Sequence, residues 1–91
     1  MVFLTVIKMK IEVFYTKNCP KCPAAKALCA ELAKEFGLEY VERDLEENLI
    51  EALQNGIAAA PTVVLDGKIV SRGAVPAKEK LVEEINKLKG K

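Results

Sequence analysis

Cys19-Pro20-Lys21-Cys22 stands where the hydrophobic period of this chain switches from two residues to 3.6. Before it, Ile11-Glu12-Val13-Phe14-Tyr15 is alternating and rich in branched and aromatic residues, which predicts a strand over Lys10 to Tyr15. After it, Ala25, Leu28, Cys29, Leu32, Ala33 and Phe36 recur at helical spacing, and Gly37 supplies a stop. The chain must therefore leave a sheet and enter a helix within a few residues, carrying two sulfurs through the bend. That context reads as a redox dithiol. Little other chemistry is on offer, because the 91 residues contain no His, no Trp and only one further Cys among three.

The remaining elements follow from the same two periods. Leu38 to Arg43 alternates as a second strand, and Asp44 with Glu47 has capping-box spacing ahead of a short helix ending at Asn55-Gly56. That helix is expected to turn Leu45, Leu49, Ile50 and Leu53 inward. Thr62 to Leu65 reads as a third strand, Asp66-Gly67 as a hairpin turn and Lys68 to Ser71 as a fourth strand. Pro76 suits the first position of a last helix, with Leu81, Val82, Ile85 and Leu88 inward. The order β-α-β-α-β-β-α predicts an α/β domain with a mixed sheet of about four strands and helices on both faces. Its first two connections are expected to be parallel, right-handed crossovers.

Size and charge narrow the class. Ninety-one residues make one small domain, and 14 basic residues balance 13 acidic ones for a net charge of +1, which argues against a nucleic-acid binder. Three cysteines are an odd count and too few for a disulfide-stapled secreted scaffold, so a reducing cytoplasm is expected. Val2 to Ile7 is apolar but too short to span a bilayer and lacks the flanks of a signal peptide. Residues 1–9 are read as an N-terminal extension or extra edge strand and residues 10–91 as the domain; no membrane association is expected.

A Cys19 that caps the first long helix would lie near N–H groups without intrahelical partners, and these favour a thiolate. Pro20 at the first helical position would fix the turn, and Lys17 and Lys21 would add positive charge. Cys19 is therefore the expected nucleophile. Cys22, nearly one turn behind, is the expected resolving thiol, able to close a disulfide with Cys19 through a mixed-disulfide cycle. The same pair can instead be half of a zinc site, a shared iron–sulfur ligand set or plain structural cysteines; zinc wants four ligands, and the chain has no His and one spare Cys. Cys29 lies two helical turns beyond Cys22, about 10.5 Å along the axis, out of disulfide reach, and reads as a small buried hydrophobe, with a regulatory thiol as the alternative. Pro23 removes an amide from the first helical turn, where the loss is tolerable.

Ala60-Pro61-Thr62 opens the third strand of a fold that already carries a strand–Cys-x-x-Cys–helix unit, and in that setting Pro61 is expected to be cis. Together with the Gly73-Ala74 turn, these residues resemble the thioredoxin/glutaredoxin superfamily, and most of all its small archaeal, glutaredoxin-sized thioredoxins, over about Met9 to Lys89. The resemblance implies a thioredoxin-like three-layer α/β/α sandwich and a protein disulfide reductase with no cofactor beyond the Cys19–Cys22 disulfide. It implies a docking surface of Ala59, Ala60, Pro61, Gly73 and Ala74, where the backbone of Ala60 pairs with a substrate strand. Disulfide-containing proteins and a thioredoxin-reductase-like flavoprotein are the implied partners of a monomer. Three departures stand out. Asn18 precedes the dithiol and Pro-Lys lies within it, whereas typical thioredoxins have Trp-Cys-Gly-Pro-Cys. The buried acid of typical thioredoxins aligns with Val13. The glutaredoxin Gly-Gly-x-Asp becomes Arg72-Gly73-Ala74-Val75, which lacks an acid for the glutathione amine, although Lys17 remains for a carboxylate. A glutathione-dependent glutaredoxin and a metal- or cluster-binding module are the alternative readings.

Overall fold

In the computed structural model, residues 9–89 are described; apart from Met9, the expected N-terminal extension lies outside them. The elements are β1 (Lys10–Tyr15), α1 (Cys22–Phe36), β2 (Glu39–Asp44), α2 (Leu49–Gln54), β3 (Thr62–Leu65), β4 (Lys68–Arg72) and α3 (Lys78–Lys89). The four strands form one sheet in the order β2-β1-β3-β4. Ile11 and Val13 point to one face, where they join Ala25, Cys29 and Leu32 of α1, Val63 and Leu65 of β3, and Leu81 and Ile85 of α3. Phe14 and Val64 point to the other face and pack with Leu45, Ala52 and Ile57 around α2. The period-two pattern of β1 thus serves two cores at once, and the three-layer α/β/α arrangement expected from the element order is present.

The direction of β3 differs from expectation. β1 and β2 are parallel, but β3 is antiparallel to β1, with Phe14 opposite Thr62 and Ile11 opposite Leu65. A second parallel crossover would carry the chain back along a full strand, about 20 Å. The six residues of α2 rise only about 9 Å. The chain instead stays at the end of the sheet where β2 stops and enters β3 there.

α2 is also rotated from its expected orientation. Asp44 Oδ1 accepts the amides of Glu46 at 2.8 Å and Glu47 at 3.4 Å, so it caps a turn over residues 45–48, and Asn48 becomes the N-cap of α2. The inward residue is Ala52, and Leu49, Ile50 and Leu53 are exposed, Ile50 by 74%. A shift of one residue turns a helix by about 100°, and the small Ala52 lets this short helix approach Phe14 and Val64 closely. Pro76 falls two residues before α3, where Leu81 N–H reaches the Ala77 carbonyl at 3.1 Å, and Leu88 faces outward. The buried Glu84 of α3 takes that inner role instead, receiving Lys68 of β4 at 2.8 Å and Lys80 at 3.3 Å.

Leu32→Ala is expected to cost about 2–5 kcal/mol in urea unfolding, as for other buried leucines, whereas Ile50→Ala should stay within about 0.5 kcal/mol of the parent. Hydrogen bonds from Lys68 and then Lys80 hold the Glu84 carboxyl below the usual carboxylate range. Stability from such a group is present above its unfolded-state pKa and is lost as pH falls through the lower folded value. Glu84→Gln should therefore lower the thermal midpoint at pH 7, and the gap should close as pH is taken below about 4.

Candidate active site

The strand registers bring the predicted site residues to one end of the sheet. Tyr15 pairs with Asp44 and Phe14 with Thr62, while Thr62 pairs with Arg72. The C-terminal ends of β1 and β4 and the N-terminal end of β3 therefore coincide. The dithiol follows the first, Gly73-Ala74 the second, and Ala59-Ala60-Pro61 precedes the third.

The dithiol sits in a turn ahead of the helix, not at its cap. Cys19 N–H donates to the Thr16 carbonyl and Cys22 N–H donates to the Cys19 carbonyl, both at 3.4 Å. Lys21 has φ −93° and ψ −14°, the geometry of the third residue of a type I turn, and proline is favoured at the second, where Pro20 stands. The cap expected at Cys19, with Pro20 inside the helix, falls instead at Lys21. The cause is Pro23. Without an N–H it cannot bond back to Cys19, so the first helical bond runs from Ala25 to Lys21, at 3.2 Å. The turn has a direct consequence for the sulfurs. Its ends, the Cys19 and Cys22 Cα atoms, are 5.4 Å apart, within the span a disulfide bridges, and the two sulfurs are joined.

The two cysteines differ in access. Cys22 is buried, 2% exposed, under the start of α1, while Cys19 is partly exposed between the exposed Asn18 and Pro20. Lys17 and Lys21 are exposed on either side. The Ala60–Pro61 peptide is cis, as expected. Pro61 is buried and its carbonyl accepts the Gly73 amide at 2.7 Å. Gly73 has φ +72°, and a Cβ placed on it would lie 3.5 Å from the Ala59 methyl group, so these two loops are in contact. Thr62 Oγ1 donates to the Ala59 carbonyl at 2.6 Å, and Ser71 Oγ donates to the Ala74 carbonyl at 2.7 Å. Those two hydroxyls, which sequence reasoning did not single out, fix the backbone on either side of Ala60 and Gly73. Their signal is positional: each is a hydroxyl residue three positions in sequence from the carbonyl it binds.

Cys29 is fully buried in the α1 core, and burial pushes its thiol up to about 12. Among the described residues no group of three or more His, Cys, Asp or Glu is placed to hold a metal ion, and no described helix is long and apolar enough to cross a membrane.

A joined cysteine pair at a strand-to-helix turn, beside a cis-proline loop on a mixed sheet, defines the class of thioredoxin-fold dithiol oxidoreductases. Comparison with known proteins agrees. Residues 9–86 match the family model described as "Thioredoxin domain". The chain is 44% identical over 84 residues to a protein named thioredoxin from Methanocaldococcus jannaschii, covering 88% of this chain and 95% of that one. It is 35% identical over 80 residues to a probable thioredoxin from Methanothermobacter thermautotrophicus, covering 86% and 93%. The crystal structure of Fasciola hepatica thioredoxin superposes with a TM-score of 0.69 at 29% identity, over 88% of this chain and 80% of that one. The chain belongs to the thioredoxin domain family and is a thiol–disulfide oxidoreductase. Membership implies disulfide substrates and a reductase partner in general terms.

In the reduced, folded protein, iodoacetamide at about pH 8 should label Cys19 and leave Cys29 unmodified, because only thiolate reacts and Cys29 stays protonated and enclosed. Mass spectrometry of the digested protein checks this; labelling of Cys29 should require denaturant.

Proposed function

We propose that this protein is a thioredoxin-type protein disulfide reductase in which Cys19 is the nucleophile and Cys22 the resolving thiol. The observation that carries this reading is the unequal access of the two sulfurs: Cys19 is partly exposed and Cys22 is 2% exposed. A substrate disulfide meets Cys19 first. The Cys19 thiolate attacks one substrate sulfur, the substrate disulfide breaks, and a mixed disulfide forms as the first substrate thiolate leaves. Cys22 then loses its proton and attacks the Cys19 sulfur. The Cys19–Cys22 bond forms and the second substrate thiolate departs, so two electrons have passed from the dithiol to the substrate.

The docking surface in this reading is Ala59, Ala60, Pro61, Gly73 and Ala74. Ala60 neither donates nor accepts a hydrogen bond among the described residues, while its neighbours on both sides are held by Thr62 and Gly73. A rigid loop with a free amide and carbonyl suits pairing with an extended substrate segment. The small side chains let another backbone approach. Pro20, Lys17 and Lys21 act on Cys19 by shaping its turn and surrounding it with positive charge. We place the protein in a reducing cytoplasm as a monomer, recharged by a thioredoxin-reductase-like flavoprotein, with no resident cofactor and residues 10–91 as the catalytic domain. The Arg72-Gly73-Ala74-Val75 turn has no acid for a glutathione amine, which supports a protein reductase over a glutathione-dependent enzyme.

Cys19→Ser should reduce insulin-disulfide turnover with dithiothreitol to the uncatalysed background. Cys22→Ser should instead accumulate a mixed disulfide with substrate, visible as a reducible adduct on a non-reducing gel. A Cys22→Ser protein with full dithiol activity and no adduct would reverse the assignment of roles.

A further inference from the structure

Resolution of the mixed disulfide needs Cys22 to ionise while buried. Desolvation disfavours that charge, so a neighbouring group has to compensate for it. Val13, at the place where typical thioredoxins carry a buried acid, is fully buried and carries no charge. Its register partner on β2 is Glu42, so the acidic side chain stands one strand over on the same, α1-covered face of the sheet. Glu42 is not alone there. Its carboxylate accepts the Tyr40 hydroxyl at 2.8 Å and lies 3.7 Å from the Lys26 ammonium. Lys26 in turn stands over the Tyr15 ring, 3.6 Å from its centroid. Tyr15 is the last residue of β1, immediately before the turns that carry the dithiol.

Lys26 is four residues after Cys22 in the same helix, a spacing that puts two Cβ atoms about 5–6 Å apart on one face. It flanks the inward stripe of α1, beside the fully buried Ala25 and Cys29, and its side chain is 30% exposed. An ammonium on an apolar stripe would ordinarily reach outward to water. Here a ring and the exposed Glu42 carboxylate hold it at the rim where α1 meets the edge strand β2. The other charged and titratable groups of this face are otherwise engaged or distant: Asp44 accepts two amides of its own turn, Glu31 pairs with Lys78 of α3, and Lys17 and Lys21 are exposed around Cys19.

We infer that Lys26, held against Tyr15 by Glu42, is a positioning residue for the second half-reaction, supplying the positive charge beside Cys22 that the resolving step needs. The inference rests on the reading of Cys22 as resolving thiol. In that step the Cys22 proton passes to solvent, the Cys22 sulfur attacks Cys19, and Lys26 offsets the negative charge that builds on Cys22 before the bond forms. A positive charge one helical turn from a buried thiol favours its ionised form, and the Glu42 carboxylate 3.7 Å from the ammonium offsets part of that effect.

The test uses the full chain, reduced and mixed rapidly with dithiobis(nitrobenzoate) over a range of pH. Cys19 releases one thionitrobenzoate on attack, and Cys22 releases the second as it closes the disulfide, so the second phase isolates the resolving step. Lys26→Met keeps the apolar stem and removes the charge. It should raise the pH midpoint of the second phase by about one unit and slow that phase about tenfold at pH 7; Lys26→Arg should restore both. An unchanged midpoint in Lys26→Met, or a Lys26→Arg that behaves like Lys26→Met, overturns the role of Lys26 while leaving Cys22 in place. A parent protein that releases one thionitrobenzoate and stops would overturn the resolving role of Cys22 itself, and the inference with it.

Discussion

The register of β1 is the constraint on which the rest of the molecule depends. β1 is hydrogen-bonded along both edges, to β2 and to β3, and both of its faces are covered. A slip of one residue would turn Val13 toward α2 and drive Glu12 into the apolar core under α1. Glu12 opposes that slip from its own side. It is held on the α2 face by Arg43, 2.7 Å away, and Arg43 also reaches Glu51 of α2 at 3.5 Å. An apolar alternation and a part-buried ion pair therefore specify the same alignment. Because the dithiol begins four residues beyond Tyr15, the best-fixed strand of the sheet also aims the sulfurs.

What the sequence showed and what it hid divide along a physical line. Period, caps and turn residues are local properties, so β1, the body of α1, the β3–β4 hairpin at Asp66-Gly67 and the inward face of α3 through Leu81 and Ile85 were all legible. Direction and rotation are tertiary properties. The run Leu49, Ile50 and Leu53 suggested an inward stripe, yet Ala52 is the residue that meets the sheet. Nothing local says that a small side chain is needed to bring a six-residue helix down onto Phe14. The direction of β3 was hidden for a related reason: it depends on whether the connecting segment returns along the sheet or stays at one end, and helical periodicity does not encode that. In the site, both cysteines and Pro61 could be read directly. The start of α1 could not, although Pro23 is visible, because one lost amide is tolerable in a first helical turn and periodicity does not locate the first helical bond.

That displacement of the helix start changes how the dithiol is held. A capping cysteine would owe its geometry to the helix. Here the geometry belongs to the type I turn, whose first and fourth residues are the two cysteines, and to Pro20, which fixes a backbone angle at its second position. The turn brings the sulfurs together while the helix buries only one of them. Access and proximity are thus controlled by two different pieces of chain. Cys29 shows the same separation from the other side: it shares the inner face of α1 with Cys22, but it lies two turns away with no turn to bring it near and no path to solvent. Three thiols in one small protein stay chemically distinct through placement alone.

Replacing an acid by a hydrocarbon at Val13 and placing an ammonium one helical turn from Cys22 alters the kind of help the buried sulfur receives. A carboxylate beside a thiol can accept its proton, but it becomes neutral in doing so and offers the new thiolate no opposite charge. An ammonium cannot accept the proton, yet it stabilises the thiolate for as long as that charge exists. The first arrangement stores the proton inside the protein; the second hands it to solvent. The Glu42 carboxylate fits the second arrangement as an anchor, because its two oxygens are engaged by Tyr40 and Lys26. A site built this way places its charge on the helix that carries Cys22 and its anchors on the neighbouring strands. The β1 register that aims the dithiol also places Tyr15, over whose ring the ammonium stands.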